Sequence, residues 1–416
     1  MVATGCTPFG KHTALSISQL AGQVIDALID DLGGDDATDV DSVWFGSSFM
    51  DAWGQPNIRG HAALAPVIEA GKLAQRVPIT NVEAACSTGS VAFRGAVLEV
   101  RSGAAEVAAA VGVEKMHLTG QAQEGRDIFS LLAGCAERLD TGRLTRTYEE
   151  AALAAGRKWL INPNVSMFLE TYAVQAQLHM NKFGVAPEQV AAGCAKTHNY
   201  AAQNPLAQYR FPMTLEQVLA DRPVTPPFTR AMCAPISDGA AAAVVCSGDW
   251  LLKQDPSVQA RAIRVRGLGM SSGTYARRPD APTLSRTAAR RAFAEAGLKP
   301  ADVDLIEVHD ATAYGEILQL EMLELCGPGE AAKFVAAGET GPGGKLPVNT
   351  SGGLVAKGHP VAATGLSMIH ELATQLRHEA GPRQVEGADV ALAENGGGVL
   401  GLEEAACVVT ILERPA

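Results

Sequence analysis

The chain has 416 residues, 47% hydrophobic and 19% charged. That is the profile of a packed globular protein too long for one core, so two domains or a duplicated domain are expected. A formal net charge of −11 argues against nucleic acid as a main partner. There is no apolar run of membrane-span length and no basic-then-apolar signal pattern at the N-terminus, and eight cysteines occur without a Cys-x-x-Cys pair. A cytoplasmic protein without a membrane span, metal site or disulfide framework is therefore expected.

Residues 14–32 read as an amphipathic helix, with Leu20, Val24, Ile25, Leu28 and Leu32 on one side. After an acidic turn, 39–46 reads as a buried strand. A second strand-like run, 77–80, leads into Asn81-Val-Glu-Ala-Ala-Cys86-Ser-Thr-Gly-Ser90. From Ser87 on, Val91, Ala92, Ala96, Val97 and Val100 recur at helical spacing. A cysteine at a helix start feels unpaired N–H groups and the positive end of the dipole, which favour thiolate and so a sulfur nucleophile. From this stretch alone a buried structural cysteine is an equally good reading.

The stretch between Met116 and Arg230 is a surplus of the first half. It carries an amphipathic helix over 167–183 and the polar run 196–205. Such insertions on a rigid scaffold shape binding sites or serve dimerisation. Beyond it the pattern repeats. A helix over 284–297 leads into Asp302-Val-Asp-Leu-Ile-Glu-Val-His309, which matches Asp39-Val-Asp-Ser-Val-Trp-Phe-Gly46. The apolar strands 239–246 and 404–412 close the two halves in the same way. The strand and helix of 77–102 match 346–349 and a helix from about Thr364 to Arg377. A duplicated α/β protein with mostly parallel central pairing follows.

Three further stretches of the second half carry chemistry. Val308-His309-Asp310-Ala311-Thr312 follows the repeated strand, where α/β sheets present catalytic groups. Ser351 to Pro360 is a glycine-rich turn that delivers His359 just before a helix. Ala393-Glu394-Asn395-Gly396-Gly397-Gly398 reads as a glycine-dense loop in which a carboxylate adjoins backbone open to a ligand.

Together, "EAACSTGS", "VHDAT", "NTSGGLVAKGHPVAATG" and "AENGGGVLG" resemble the thiolase superfamily, in particular the sterol-carrier-protein type and its bacterial acetyl-CoA acetyltransferase-like relatives. The resemblance spans nearly the whole chain and is weakest over 118–165. It implies two βαβαβαββ halves in a five-layer αβαβα fold: 1–116 with 231–255, an inserted loop domain at 117–230, and 256–416. It further implies acyl-CoA thioesters as substrates with no cofactor, and a homodimer or tetramer. Cys86 would accept an acyl group, His359 would activate its sulfur, and His309 would hold the enolate oxygen of a second thioester. Backbone N–H groups of Cys86 and of the stretch Asn395, Gly396, Gly397, Gly398 would complete the oxyanion and substrate-binding site.

One departure stands out. Where such proteins carry a second cysteine as base, this chain has Glu394 in one position and Ala311 in the other; Cys326 reads as structural. Glu394 is the expected replacement, its pKa raised by burial from about 4.3. The expected activity is cleavage or Claisen condensation of a specialised 3-oxoacyl-CoA. The alternatives are a C-acyltransferase or aldolase subunit working with a small OB-fold/zinc-ribbon partner, and a non-catalytic acyl-CoA-binding subunit.

Overall fold

The computed structural model describes residues 1–34, 36–123, 128–159, 165–275 and 283–415. Its first sheet contains β1 (Ala3–Cys6), β2 (Ser42–Gly46), β3 (Ile79–Val82), β4 (Val107–Lys115) and a later strand, β7 (Asp238–Cys246). They lie in the order β1-β7-β4-β2-β3, with β2 parallel to β3 and β4, and β7 antiparallel to β4 and β1. Helices α1 (Ile17–Leu32), α2 (Arg59–Glu69) and α3 (Thr88–Arg101) connect them. A capping box from Ser16 and Gln19 starts α1, and Gly33, in the left-handed region, ends it.

The insertion supplies α4 (Ile128–Ala133), α5 (Thr141–Ala154), α6 (Met167–Phe183), α7 (Pro187–Ala202), α8 (Leu215–Ala220) and the ribbon β5 (Pro223–Thr225)/β6 (Phe228–Thr229). The polar run at 196–205 lies mostly on α7, and His198 on it is buried. Part of the atypical segment 118–165 falls outside the described residues.

Short helices α9 (Gly248–Leu251) and α10 (Pro256–Arg261) lead to the second sheet, β8 (Arg264–Ser272), β9 (Leu305–Glu307), β10 (Val390–Gly397) and β11 (Ala406–Glu413). Its order, β8-β11-β10-β9, repeats the first, with β9 parallel to β10. The counterpart of β3 shrinks to a single parallel bridge, Ile306 to Val348. A full strand was expected at 346–349; Asn349, with φ 55, turns the chain away after one pair. Helices α11 (Leu284–Ala296), α12 (Tyr314–Met322), α13 (Ala331–Ala336) and α14 (Thr364–Leu376) complete this half.

Five layers result. Apolar faces of α1 and α2 cover the outside of the first sheet. Helices α3 and α14 form a shared middle layer, with Phe93, Ala96, Leu366, Ile369 and Leu372 packed between the sheets. Helices α11 and α12, with α7 and α13 of their surroundings, cover the outside of the second sheet. Small residues on α3 and β4 let the halves close. A Cβ at Gly112 would sit 2.2 Å from the carbonyl oxygen of Ala362, and one at Gly89 2.6 Å from the same atom.

This closeness is testable. Gly112→Ala forces β4 from the turn that follows His359, and overpacking of this kind costs about 1–3 kcal/mol. A lower urea midpoint is expected; an unchanged midpoint would mean that the two halves can part there without cost.

Candidate functional site

Cys86 lies in a 3₁₀ turn, Ala85–Ser87, between β3 and α3. The residue before it, Ala85, has φ 47, a conformation costly for a residue with a Cβ. Several contacts hold that turn. The Thr88 hydroxyl donates to the Ala85 carbonyl at 2.6 Å and accepts from the Ala84 N–H at 2.8 Å. The Glu83 carboxylate accepts from the Ala85 N–H at 2.6 Å.

His359 comes from the opposite half, between the turn 353–357 and α14. Its Nε2 is 3.2 Å from Cys86 Sγ, and its Nδ1 is 2.7 Å from the Thr364 hydroxyl. Thr364 spends its own proton on the Pro360 carbonyl, 3.0 Å away. The hydroxyl must therefore accept from an Nδ1–H, and Nε2 is left with a lone pair facing the thiol.

His309, just beyond β9, has the opposite tautomer. Ser90 donates to Asn395 Oδ1 at 2.9 Å, and the Asn395 amide then donates to His309 Nδ1 at 3.1 Å. The proton is thereby assigned to His309 Nε2, a buried atom with no partner among the described residues. The two rings meet edge to face with centroids 5.3 Å apart, and the sulfur and one ring nitrogen of each lie within 4.8 Å of one another. One imidazole accepts a proton and the other offers one across a single small space. That is an arrangement for deprotonating a nucleophile beside a developing oxyanion.

Buried carboxylates fix both histidine-bearing segments. Glu307, at the end of β9, accepts from the Ser351 N–H at 3.0 Å and its hydroxyl at 2.6 Å. Asp310 accepts from the Leu354 N–H at 2.6 Å. Glu114, on β4 of the first half, accepts from the N–H groups of Ser48, Phe49 and Ala362 at 2.9, 3.1 and 3.2 Å. Burial pushes the pKa of Glu114 up to about 7. Asp310 entered the sequence reading only as part of the His-Asp stretch, and Glu114 and Glu307 were not singled out; a charged residue inside an apolar strand was the signal available.

The protonation states correct one expectation. Burial drives the Cys86 pKa up to about 12, although the Gly398 backbone works the other way. Burial, and then its neighbour His309, holds His359 well below the usual histidine value. The resting pair is a neutral thiol and a neutral imidazole, not the thiolate foreseen from the helix start, because desolvation outweighs the dipole.

The glycine-dense stretch is not a loop. Residues 393–397 are the end of β10, paired residue for residue with β11, and Gly398 lies just beyond it. Gly397 lets that strand reach the Cys86 turn, for a Cβ there would lie 2.3 Å from the Ser87 nitrogen. Glu394 is fully buried, accepting from the His309 N–H at 3.1 Å and from the Cys407 thiol at 3.2 Å. Burial, followed by repulsion from Glu404, raises its pKa to about 8. The structure thus brings Cys86, His309, His359 and Asn395 together, and sets Glu394 behind the His309 backbone.

With this geometry in view, the relatives are informative. Residues 1–249 match the family model "Thiolase, N-terminal domain" and residues 269–414 match "Thiolase C-terminal domain-like". The class is that of thiolase-fold acyltransferases, and the chain belongs to the thiolase family. An acetyl-CoA acetyltransferase of Methanothermobacter thermautotrophicus is 33% identical over 96% of both chains. The benzoylsuccinyl-CoA thiolase subunit BbsB of Thauera aromatica is 33% identical over 74% of both. Sterol carrier protein 2 of Oryctolagus cuniculus is 35% identical over 80% of this chain and 58% of its own length. Among solved structures, the Ltp2-ChsH2(DUF35) aldolase superposes with a TM-score of 0.77 over 99% of this chain and 96% of its own, at 22% identity.

Glu394 yields a pH-dependent prediction. Its folded pKa lies above its unfolded value, so the folded state holds the proton more tightly. Its contribution is full below about pH 4.5 and is lost as pH rises towards 8. Glu394→Gln should remove that part of the loss, so the variant gains in melting temperature relative to the parent between pH 5 and 8. Parallel melting curves would contradict this.

The Thr364 hydroxyl yields another. Thr364→Val leaves a buried Nδ1–H without an acceptor, a defect worth about 1–3 kcal/mol. A loss of about 10- to 100-fold in the rate of Cys86 acylation is expected, at unchanged fold by circular dichroism; an unaltered rate would refute the tautomer assigned to His359.

Proposed function

We propose that this thiolase-family acyltransferase cleaves or condenses a specialised 3-oxoacyl-CoA through an acyl-Cys86 thioester. The 3.2 Å approach of His359 Nε2 to Cys86 Sγ, with the lone pair on that nitrogen, carries the reading. In the first half-reaction the sulfur attacks a thioester carbonyl and its proton passes to His359. The leaving CoA sulfur takes that proton, and the neutral pair is restored. Because thiol and imidazole are both neutral at rest, no isolated charge is buried before substrate arrives.

In the second half-reaction another thioester loses an α-proton to a base. Its enolate oxygen is held by His309 Nε2–H, and its carbon attacks the acyl group. The new carbon–carbon bond forms as the bond to Cys86 sulfur breaks. We assign the N–H groups of Cys86 and Gly398, which favour negative charge on the sulfur, to the oxyanion, each such donor being worth about 3 kcal/mol. We assign Asn395 to holding the His309 tautomer, and Gly396 and Gly397 to the close approach of β10. For Glu394, foreseen as the base, the closed contacts with His309 N–H and Cys407 support a role in holding His309 over direct contact with substrate.

Coenzyme A thioesters are the substrates and no additional cofactor enters this scheme. A homodimer or tetramer remains part of the proposal by family likeness. So does a small OB-fold/zinc-ribbon partner, since one relative is described as a subunit and the neighbouring aldolase structure has two components. In the described residues no helix is long and apolar enough to cross a membrane.

Intact-mass analysis after incubation with acetyl-CoA tests the core of the proposal. An acetyl adduct is expected on the parent chain and absent from Cys86→Ala. An adduct that persists in Cys86→Ala would overturn the role of Cys86.

A further inference from the structure

The second half-reaction needs a base, and no cysteine occupies either of the two positions where the resemblance would place one. Two glutamates lie near His309, and their surroundings differ. Glu394 has a fully covered side chain, with one oxygen on the His309 N–H and the other on the Cys407 thiol. Glu404, just before β11, instead lines a narrow cleft together with His309, Thr312, Gln319 and Tyr172. This cleft has a volume of about 20 Å³, room for about one water-sized group.

His309 is part of the wall of this cleft, and its Nε2 has no partner among the described residues. The backbone of β10 is shaped for the Glu404 side chain. A Cβ at Gly396 would lie 2.9 Å from Glu404 Cγ and 3.2 Å from its Cδ, so this carboxyl arm rests directly on the glycine. Among nearby carboxylates, Glu404 exerts the largest charge effect on Cys86, and it also acts on Tyr172. The segment just before β11 thus sets a carboxyl group beside His309, close enough to the Cys86 turn for its charge to act on the sulfur.

We propose that Glu404 is the base that removes the α-proton of the second thioester, and this rests on the acyl-Cys86 reading above. The α C–H bond breaks, its proton goes to a Glu404 oxygen, and its electron pair moves into the enolate whose oxygen accepts from His309 Nε2–H. After the enolate carbon has displaced the Cys86 sulfur, the proton held by Glu404 is the one that restores the thiol, so the cycle closes without an external acid or base. Burial raises the pKa of Glu404, which strengthens the carboxylate as a base.

The test uses the full-length protein with acetyl-CoA in deuterium oxide, following the Cys86 adduct and deuterium entry into the acetyl group by mass spectrometry. For Glu404→Gln, the adduct should form while exchange falls at least about 100-fold, the contribution typical of general-base catalysis. Glu404→Asp should recover part of the exchange. Normal exchange in Glu404→Gln, with the adduct present in the parent, overturns the role of Glu404 alone. Loss of the adduct in both folded Glu404 variants assigns the residue to acylation and likewise overturns the proposal. A parent chain that forms no adduct overturns the acyl-enzyme reading itself, and this role with it.

Discussion

The active centre depends on backbone N–H groups that turns leave unpaired and that buried carboxylates satisfy. Cys86 and His359 belong to different sheets, and nothing covalent fixes their separation. What fixes it is Glu114, reaching from β4 to the N–H of Ala362 beyond His359, together with Glu307 and Asp310, which grip Ser351 and Leu354. A buried donor left without an acceptor costs about 1–3 kcal/mol, so each turn is driven into the one place where its N–H is met. The 3.2 Å contact at the sulfur is the geometric result of these distant satisfactions.

Within that frame, single protons are allotted by hydrogen bonds one step removed from the chemistry. Thr364 and Asn395 touch neither a thioester nor the sulfur, yet they decide which imidazole accepts and which donates. The enclosure that makes this ordering strict also removes water. That is why the cysteine and His359 rest uncharged, and why the glutamates of β10 and its neighbourhood hold their protons more tightly than exposed ones would.

Much of the fold was legible because its signals are local. The matching helix–turn–strand units at 39–46 and 302–309, and the apolar closing strands, gave the duplication directly, and the second sheet repeats the first in order. Cys86, His309 and His359 stood out because each adjoins a strand or helix end. Where the reading failed, a long-range effect had overridden a local one. Three consecutive glycines signal a loop, yet pairing with β11 draws two of them into β10. A helix start favours thiolate, yet burial wins at Cys86. Glu404 was hidden because its meaning comes from the Cα of Gly396 and from His309, and neither neighbour is announced by spacing along the chain.

The correspondence between the two sheets has a further consequence. The corner between β3 and α3, which holds Cys86, and the stretch from Val348 to α14, which holds His359, are the same position in two copies of one unit. Brought face to face across the α3–α14 layer, identical copies would present the same residue to itself, and a cysteine facing a cysteine or an imidazole facing an imidazole has no direction in which to pass a proton. The useful polarity of the centre comes from the difference between the two copies within one chain. Covalent linkage keeps them paired while each corner carries a different residue.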